Sequence, residues 1–223
     1  MIKNYQEDLT LAAPLYSETD ELWPLSPSDP NWYYGGSEEF EWVSGKGVGD
    51  CTTGDLLLRP LHSACTPIDC TCNCLLQHSI DFFSLDFVSS IYFDFYGLTF
   101  LFSISQIENP GEVYARATLQ NNGVVDVVSS WVLLTNGVVI FRILEDGDYY
   151  RAFINGSNVA SISKTEDNHP RQEERENTAS AFWLSIQNTS SDQKFYLKSV
   201  DFEYDEFVSN PFWTDLINCH ETT

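Results

Sequence analysis

Four dipeptides constrain this chain more than any other feature: Asn122-Gly123, Asn136-Gly137, Asp146-Gly147 and Asn155-Gly156. Asn-Gly and Asp-Gly supply the positive φ angles that tight hairpin turns require. The runs between them are short and rich in Val, Ile, Phe and Tyr. Many alternate apolar with polar residues, the period of a strand with one buried face. The pattern predicts strands near 79–88, 91–96, 98–107, 112–120, 124–128, 131–135, 138–144, 149–154, 158–163, 180–187 and 193–206. Many short strands at regular spacing predict an all-β fold, an antiparallel β-sandwich of the jelly-roll kind, over 78–208. Lys164 to Thr178 is polar and charged and reads as a surface loop.

The flanks read differently. Residues 1–77 are expected to form an irregular, acidic N-terminal arm, because Pro14, Pro24, Pro27 and Pro30 interrupt regular elements. The arm also carries aromatic side chains, which a disordered linker would lack. Trp32, Tyr33 and Tyr34 stand beside Gly35-Gly36, and Trp213 stands in a short C-terminal docking tail, 209–223. Aromatic faces of this kind anchor protein interfaces or stack on sugar rings. These four residues are therefore candidates for interface or glycan contact.

Charge narrows the partners. Eleven Lys and Arg stand against thirty-three Asp and Glu, for a formal net charge of −22. Nucleic-acid affinity rests mainly on phosphate neutralisation, so a nucleic-acid partner is not expected. Membrane insertion is not expected either, since the most apolar stretch, Ile80 to Ile107, is interrupted by Asp81, Asp86, Asp94 and Gly97. The acidic excess suits basic protein surfaces, divalent cations or neutral glycans. The first residues lack the basic and then apolar pattern of a signal peptide, which predicts synthesis in a cytoplasm.

Six cysteines are present: Cys51, Cys65, Cys70, Cys72, Cys74 and Cys219. Disulfides, a metal site and free thiols are all open readings. His62 and His78 flank the cluster, as zinc ligands would, but the C-x-C spacing departs from the usual C-x2-C knuckle. On an extended segment, alternation lines up Cys70, Cys72 and Cys74 along one side. Such a row suits cross-links to distant cysteines, and all six are candidates. Disulfides need an oxidising place of work. Cytoplasmic synthesis with later oxidation fits a virus particle; an extracellular location is the alternative.

The run from Trp131 to Phe207 resembles the concanavalin A-like, laminin-G-like jelly roll. The resemblance rests on Trp131-Val-Leu-Leu-Thr-Asn136-Gly137, on Tyr149-Tyr150-Arg-Ala-Phe-Ile-Asn155-Gly156 and on Phe195-Tyr196-Leu197-Lys198-Ser-Val200-Asp201-Phe202. The glycine usual in the last strand is replaced by Leu197 or Lys198. The resemblance implies binding of sugars, proteins or calcium; such domains occur in lectins, matrix modules, glucanases and bacteriophage tail or capsid proteins.

Two acidic segments bear on chemistry. Asp201, Glu203 and Asp205 fall on one face of a strand. Laminarinase-type glucanases are similar, with paired carboxylates on a strand, but the order here departs from theirs. The simpler reading is that Val200, Phe202 and Tyr204 face the core and the acids face water. Glu145-Asp146-Gly147-Asp148 could offer oxygens to calcium, or be an ordinary hairpin turn. No P-loop, nucleophile elbow or H-E-x-x-H motif is present. The resulting expectation is a non-enzymatic bacteriophage structural protein with a lectin-like docking module. It would assemble with copies of itself or with other structural proteins and need no cofactor, with calcium as an option. A free carbohydrate-binding lectin and a laminarinase-like glycoside hydrolase are the alternatives.

Overall fold

A computed structural model describes residues 2–11, 23–26, 29–36, 40–50, 55–60, 65–77, 88–95, 98–105, 112–135, 137–165, 183–188 and 194–206. Every regular element among them is a strand, and every pairing is antiparallel. The first sheet contains β1 (Ile2–Asp8), β4 (Phe40–Val43), β5 (Gly47–Asp50), β7 (Cys65–Gln77), β13 (Val138–Asp146), β14 (Tyr149–Ile154), β15 (Ser157–Ser163) and β17 (Lys194–Glu206). Its order is β15-β14-β13-β7-β17-β5-β4, with β1 also on β17. The second contains β2 (Trp23–Ser26), β3 (Asp29–Gly36), β6 (Asp55–Pro60), β8 (Val88–Phe95), β9 (Leu98–Ser105), β10 (Val113–Asn121), β11 (Val124–Val128), β12 (Val132–Leu134) and β16 (Trp183–Asn188). Its order is β11-β10-β9-β8-β16-β6-β3-β2, with β12 also on β10.

Alternation decides which side chains meet between the sheets. On the first sheet, Cys70, Cys72 and Cys74 of β7 stand opposite Ile143, Phe141 and Val139 of β13, and all six are buried. On the second, Leu98, Phe100, Phe102 and Ile104 of β9 and Val113, Ala115, Ala117 and Leu119 of β10 point inward. The layers touch through aromatic pairs. Phe102 and Phe141 lie 4.7 Å apart between centroids, and Phe100 meets Tyr150 edge-on at 6.2 Å. Such offset and edge-on geometries suit the quadrupoles of the rings.

Two of the four Gly-dipeptide turns show both predicted positive angles, Asp146-Gly147 shows one at Gly147, and Asn136 lies outside the described residues. Asn122 and Gly123 both have positive φ, as do Asn155 and Gly156. These are the backbone angles that match hairpin twist. Asn155 adds a second contact, because its Oδ1 accepts the Ile140 N–H at 2.9 Å and its own N–H donates to the Ile140 carbonyl. Replacing Asn155 by Ala removes that acceptor and places a less tolerant residue in the left-handed region. The expected loss is about 1–2 kcal/mol of stability, measured by denaturant unfolding.

The first 77 residues differ from the expected irregular arm. Strands β1 to β7 lie there, and β7 is central, between β13 and β17. The prolines are the reason the sequence misleads. Pro24 lies on β2, the outermost strand of its sheet, and Pro60 is the last residue of β6. Pro67 lies beside a bulge at Glu203/Tyr204, where the ladder is already irregular. A residue without an N–H is tolerated at edges, ends and bulges. Pro14, Pro27, the segment 78–87 and the tail 209–223 lie outside the described residues.

Candidate functional site

Two outward sheet faces are available, and their electrostatics differ. On the first sheet, Asp69, Thr71 and Asn73 of β7 alternate with the buried cysteines. Arg142 of β13 grips Asp69 with both ends of its guanidinium, Nε to Oδ1 at 2.8 Å and Nη2 to Oδ2 at 2.5 Å. The Asp69 contact raises the Arg142 pKa further above its ordinary value. Arg151 pairs with Asp146 at 2.6 Å, and Lys164 pairs with Glu145. Asn73 donates to the Ser199 hydroxyl. Arg142, Arg151 and Lys164 are thus each taken up by a carboxylate of the same chain.

These contacts bear on several sequence readings. Asp146 and Glu145, the calcium candidates, turn toward cations of the chain itself. Asp201 and Glu203 are half-buried and alternate with buried Val200, in register with Thr71 and Asp69 of β7. That is the arrangement of a strand with acids on its outward side. Nothing is described of the Asp205 side chain.

The cysteine row forms as alternation requires, but its side is the core. Cys70, Cys72 and Cys74 are free thiols with no exposed surface. Burial pushes the Cys70 thiol well above its ordinary pKa, with further upward pushes from Cys72, Asp69 and Asp201; burial, then Cys72, does the same to Cys74. These three make no cross-link to distant cysteines. Among the described residues no group of three His, Cys, Asp or Glu is placed to hold a metal ion. Cys51 and Cys219 lie outside the described residues, as do His62, His78 and the Cys65 side chain.

The second sheet presents a different outward face. Leu101 and Thr99 of β9 and Tyr114, Arg116 and Gln120 of β10 are half-buried there. Ser103, Ser105 and Thr118 also point outward by alternation, yet they are only 6–7 % exposed. Ser103 pairs in register with Arg116, Ser105 with Tyr114, and Leu101 with Thr118. Short hydroxyl side chains therefore lie low among longer neighbours. The Tyr114 hydroxyl donates to Glu112 at 2.6 Å.

Arg116 forms the wall of this floor with Trp131. Its guanidinium carbon stands 4.4 Å from the Trp131 ring centroid. The chain path that brings Trp131 there is fixed by Ser129. Beyond β11, the Ser129 N–H donates to the Ala117 carbonyl and its Oγ accepts the Ala117 N–H, both at 2.9 Å. Its hydroxyl then donates to Ser130 O. Ser129 thus bridges the gap between β11 and β12 along β10, and Trp131 enters beside Arg116. Among the described side chains no carboxylate pairs with Arg116, and its buried Nε has no hydrogen-bond partner.

Of the aromatics singled out from sequence, Trp32, Tyr33 and Tyr34 lie on β3 of this same sheet, in register with Pro60, Arg59 and Leu58. Five strand steps separate β3 from β10, roughly 24 Å. Nothing is described of their side chains, and Trp213 lies outside the described residues. Sequence reading missed Arg116. One signal was present: it is the only Lys or Arg between Arg59 and Arg142.

Comparison with solved structures shows the fold to be shared. The carbohydrate recognition domain of Emp47p matches with a TM-score of 0.53 at 12% identity, over 92% of this chain and 96% of that one. A laminarinase from Flavobacterium sp. UMI-01 matches at 0.52 and 10% identity, over 89% and 98%. The Crh5 transglycosylase matches at 0.51 and 12% identity, over 90% and 83%. The chain has the jelly-roll sandwich fold. No family model matches the chain, and no curated protein does. The expectation that the protein is not an enzyme is overturned by these matches, because this fold is one that carries glycoside hydrolases. The absence of a nucleophile elbow, a P-loop and an H-E-x-x-H motif misled: glycosidases need only two suitably placed carboxyl groups, which leave no such signature.

Proposed function

We propose that this protein is a carbohydrate-binding sandwich whose glycan lies on the outward face of the second sheet, at β9, β10 and β12. The observation that carries this reading is the Arg116–Trp131 wall beside the sunken hydroxyls of Ser103, Ser105 and Thr118. Sugars are amphipathic rings. An indole offers them an apolar surface, while a guanidinium and hydroxyls offer fixed hydrogen bonds. The opposite sheet offers less, since Arg142, Arg151 and Lys164 there are held by Asp69, Asp146 and Glu145. The shared fold supports the reading, as one of its carriers is a carbohydrate recognition domain. Bacteriophage assembly through residues 1–77 or 209–223 has no comparable support, since none of these three matches is a virion protein.

The test is direct. The purified chain, applied to a glycan array, should retain at least one class of oligosaccharide. Trp131→Ala should weaken that binding by about 2 kcal/mol, a roughly 30-fold rise in Kd. Chromatography of each bound glycan after incubation shows whether it is also cleaved or transferred. Binding unaffected by Trp131→Ala would remove this face from consideration.

A further inference from the structure

Arg116 is unusual in its own chain. Acids outnumber bases three to one, thirty-three to eleven, and Arg142, Arg151 and Lys164 each hold a carboxylate. Arg116 has none among the described residues, and its buried Nε lacks an acceptor. Nearby Glu112, just before β10, accepts the Tyr114 hydroxyl. Among the described residues, therefore, this guanidinium stands clear of the chain's own acids.

Stacking determines what that guanidinium can take. The guanidinium carbon lies over the Trp131 ring, 4.4 Å from its centroid, so one side of the group is taken up by the indole. With Nε buried, the edge formed by the two Nη nitrogens is the one that can receive a ligand. That edge matches a carboxylate, two parallel N–H···O bonds at once, better than a lone hydroxyl. A clamped guanidinium also loses less rotamer freedom on binding. Ser103, in register with Arg116, can meet the hydroxyls of the same sugar.

We infer that this corner binds a carboxylate-bearing sugar of the uronic-acid or sialic-acid class, with Arg116 reading the carboxylate and Trp131 holding Arg116 in position. The inference rests on the glycan-binding reading and narrows it to an acidic residue within the glycan. The net charge of −22 works against polyanions at long range, which favours a short glycan with few charges over a dense one.

Calorimetric titration of the full chain with matched probes decides it. Trigalacturonate is compared with its carboxyl-reduced neutral counterpart, and sialyllactose with lactose. In at least one pair the acidic member should bind about tenfold tighter or more. Arg116→Met should erase that preference, lowering the acidic member's affinity at least about tenfold more than the neutral member's. Arg116→Lys, which keeps the charge and loses the fork, should restore only part of it. Equal binding of acidic and neutral members, or a preference that survives Arg116→Met, overturns the acidic-sugar inference and leaves glycan binding standing. If neither probes nor array glycans bind, the glycan reading itself fails, and this inference with it.

Discussion

Cys70, Cys72 and Cys74 should resist a thiol reagent for as long as the sandwich stays folded. A variant keeping only these three, with Cys51, Cys65 and Cys219 changed to Ser, isolates their signal. Their side chains sit in the centre of the first sheet, facing the second, and have no exposed surface. The reactive species is the thiolate, and burial disfavours it. Modification must therefore wait for opening of the core. With opening free energies of about 5 kcal/mol or more, native reaction should be at least ~1,000-fold slower than in denaturant. Prompt labelling of all three in the native protein would contradict their placement.

The sign of the pH effect follows from the same burial. The folded pKa values of Cys70 and Cys74 lie well above the ordinary 9.0. As pH rises past 9.0, the unfolded chain ionises these thiols while the folded chain keeps them neutral. The unfolded state then binds fewer protons, and stability falls with rising pH. Below that value the thiols contribute no such slope.

Gly47→Ala should destabilise the fold by about 3 kcal/mol or more, lowering Tm by roughly 10 °C. Gly47 has a φ of +107°, where an L side chain is strained. A Cβ there would also lie 2.1 Å from the Leu197 carbonyl oxygen. That contact is backbone against backbone, so no side-chain rotation relieves it. The surroundings are a junction. β17 pairs with β5 at Tyr196 and Leu197 and with β1 from Ser199 onward, across a bulge. The Leu9 N–H donates to the Lys198 carbonyl and the Gly45 N–H to the Thr10 carbonyl. Displacing Gly47 loosens all three strands at once. A Tm within a degree or two of the parent protein would show that the junction relaxes freely.

Local chemistry made parts of this fold legible. Asn122-Gly123 and Asn155-Gly156 specify their turns, and the strands at 124–128 and 149–154 fall where alternation places them. Long-range pairing was not legible. Ile2–Asp8 pairs with residues 199–205, and nothing in either segment names the other. Alternation put Cys70, Cys72 and Cys74 on one side but could not say which side faced a second sheet. The site shows the same division. The isolation of Arg116 among acidic and apolar residues is visible in the sequence. Its meeting with Trp131 depends on how Ser129 steps the chain along β10, which only three-dimensional pairing reveals.

The most direct test of the account is to map a bound glycan by amide and indole chemical shifts. Titration with the tightest array ligand should move the amides of Ser103, Ser105, Arg116 and Thr118 and the indole N–H of Trp131. The amides of Thr71, Asn73 and Arg142, on the opposite sheet, should stay still. Shifts confined to that opposite face, with Trp131 unmoved, would contradict the assignment.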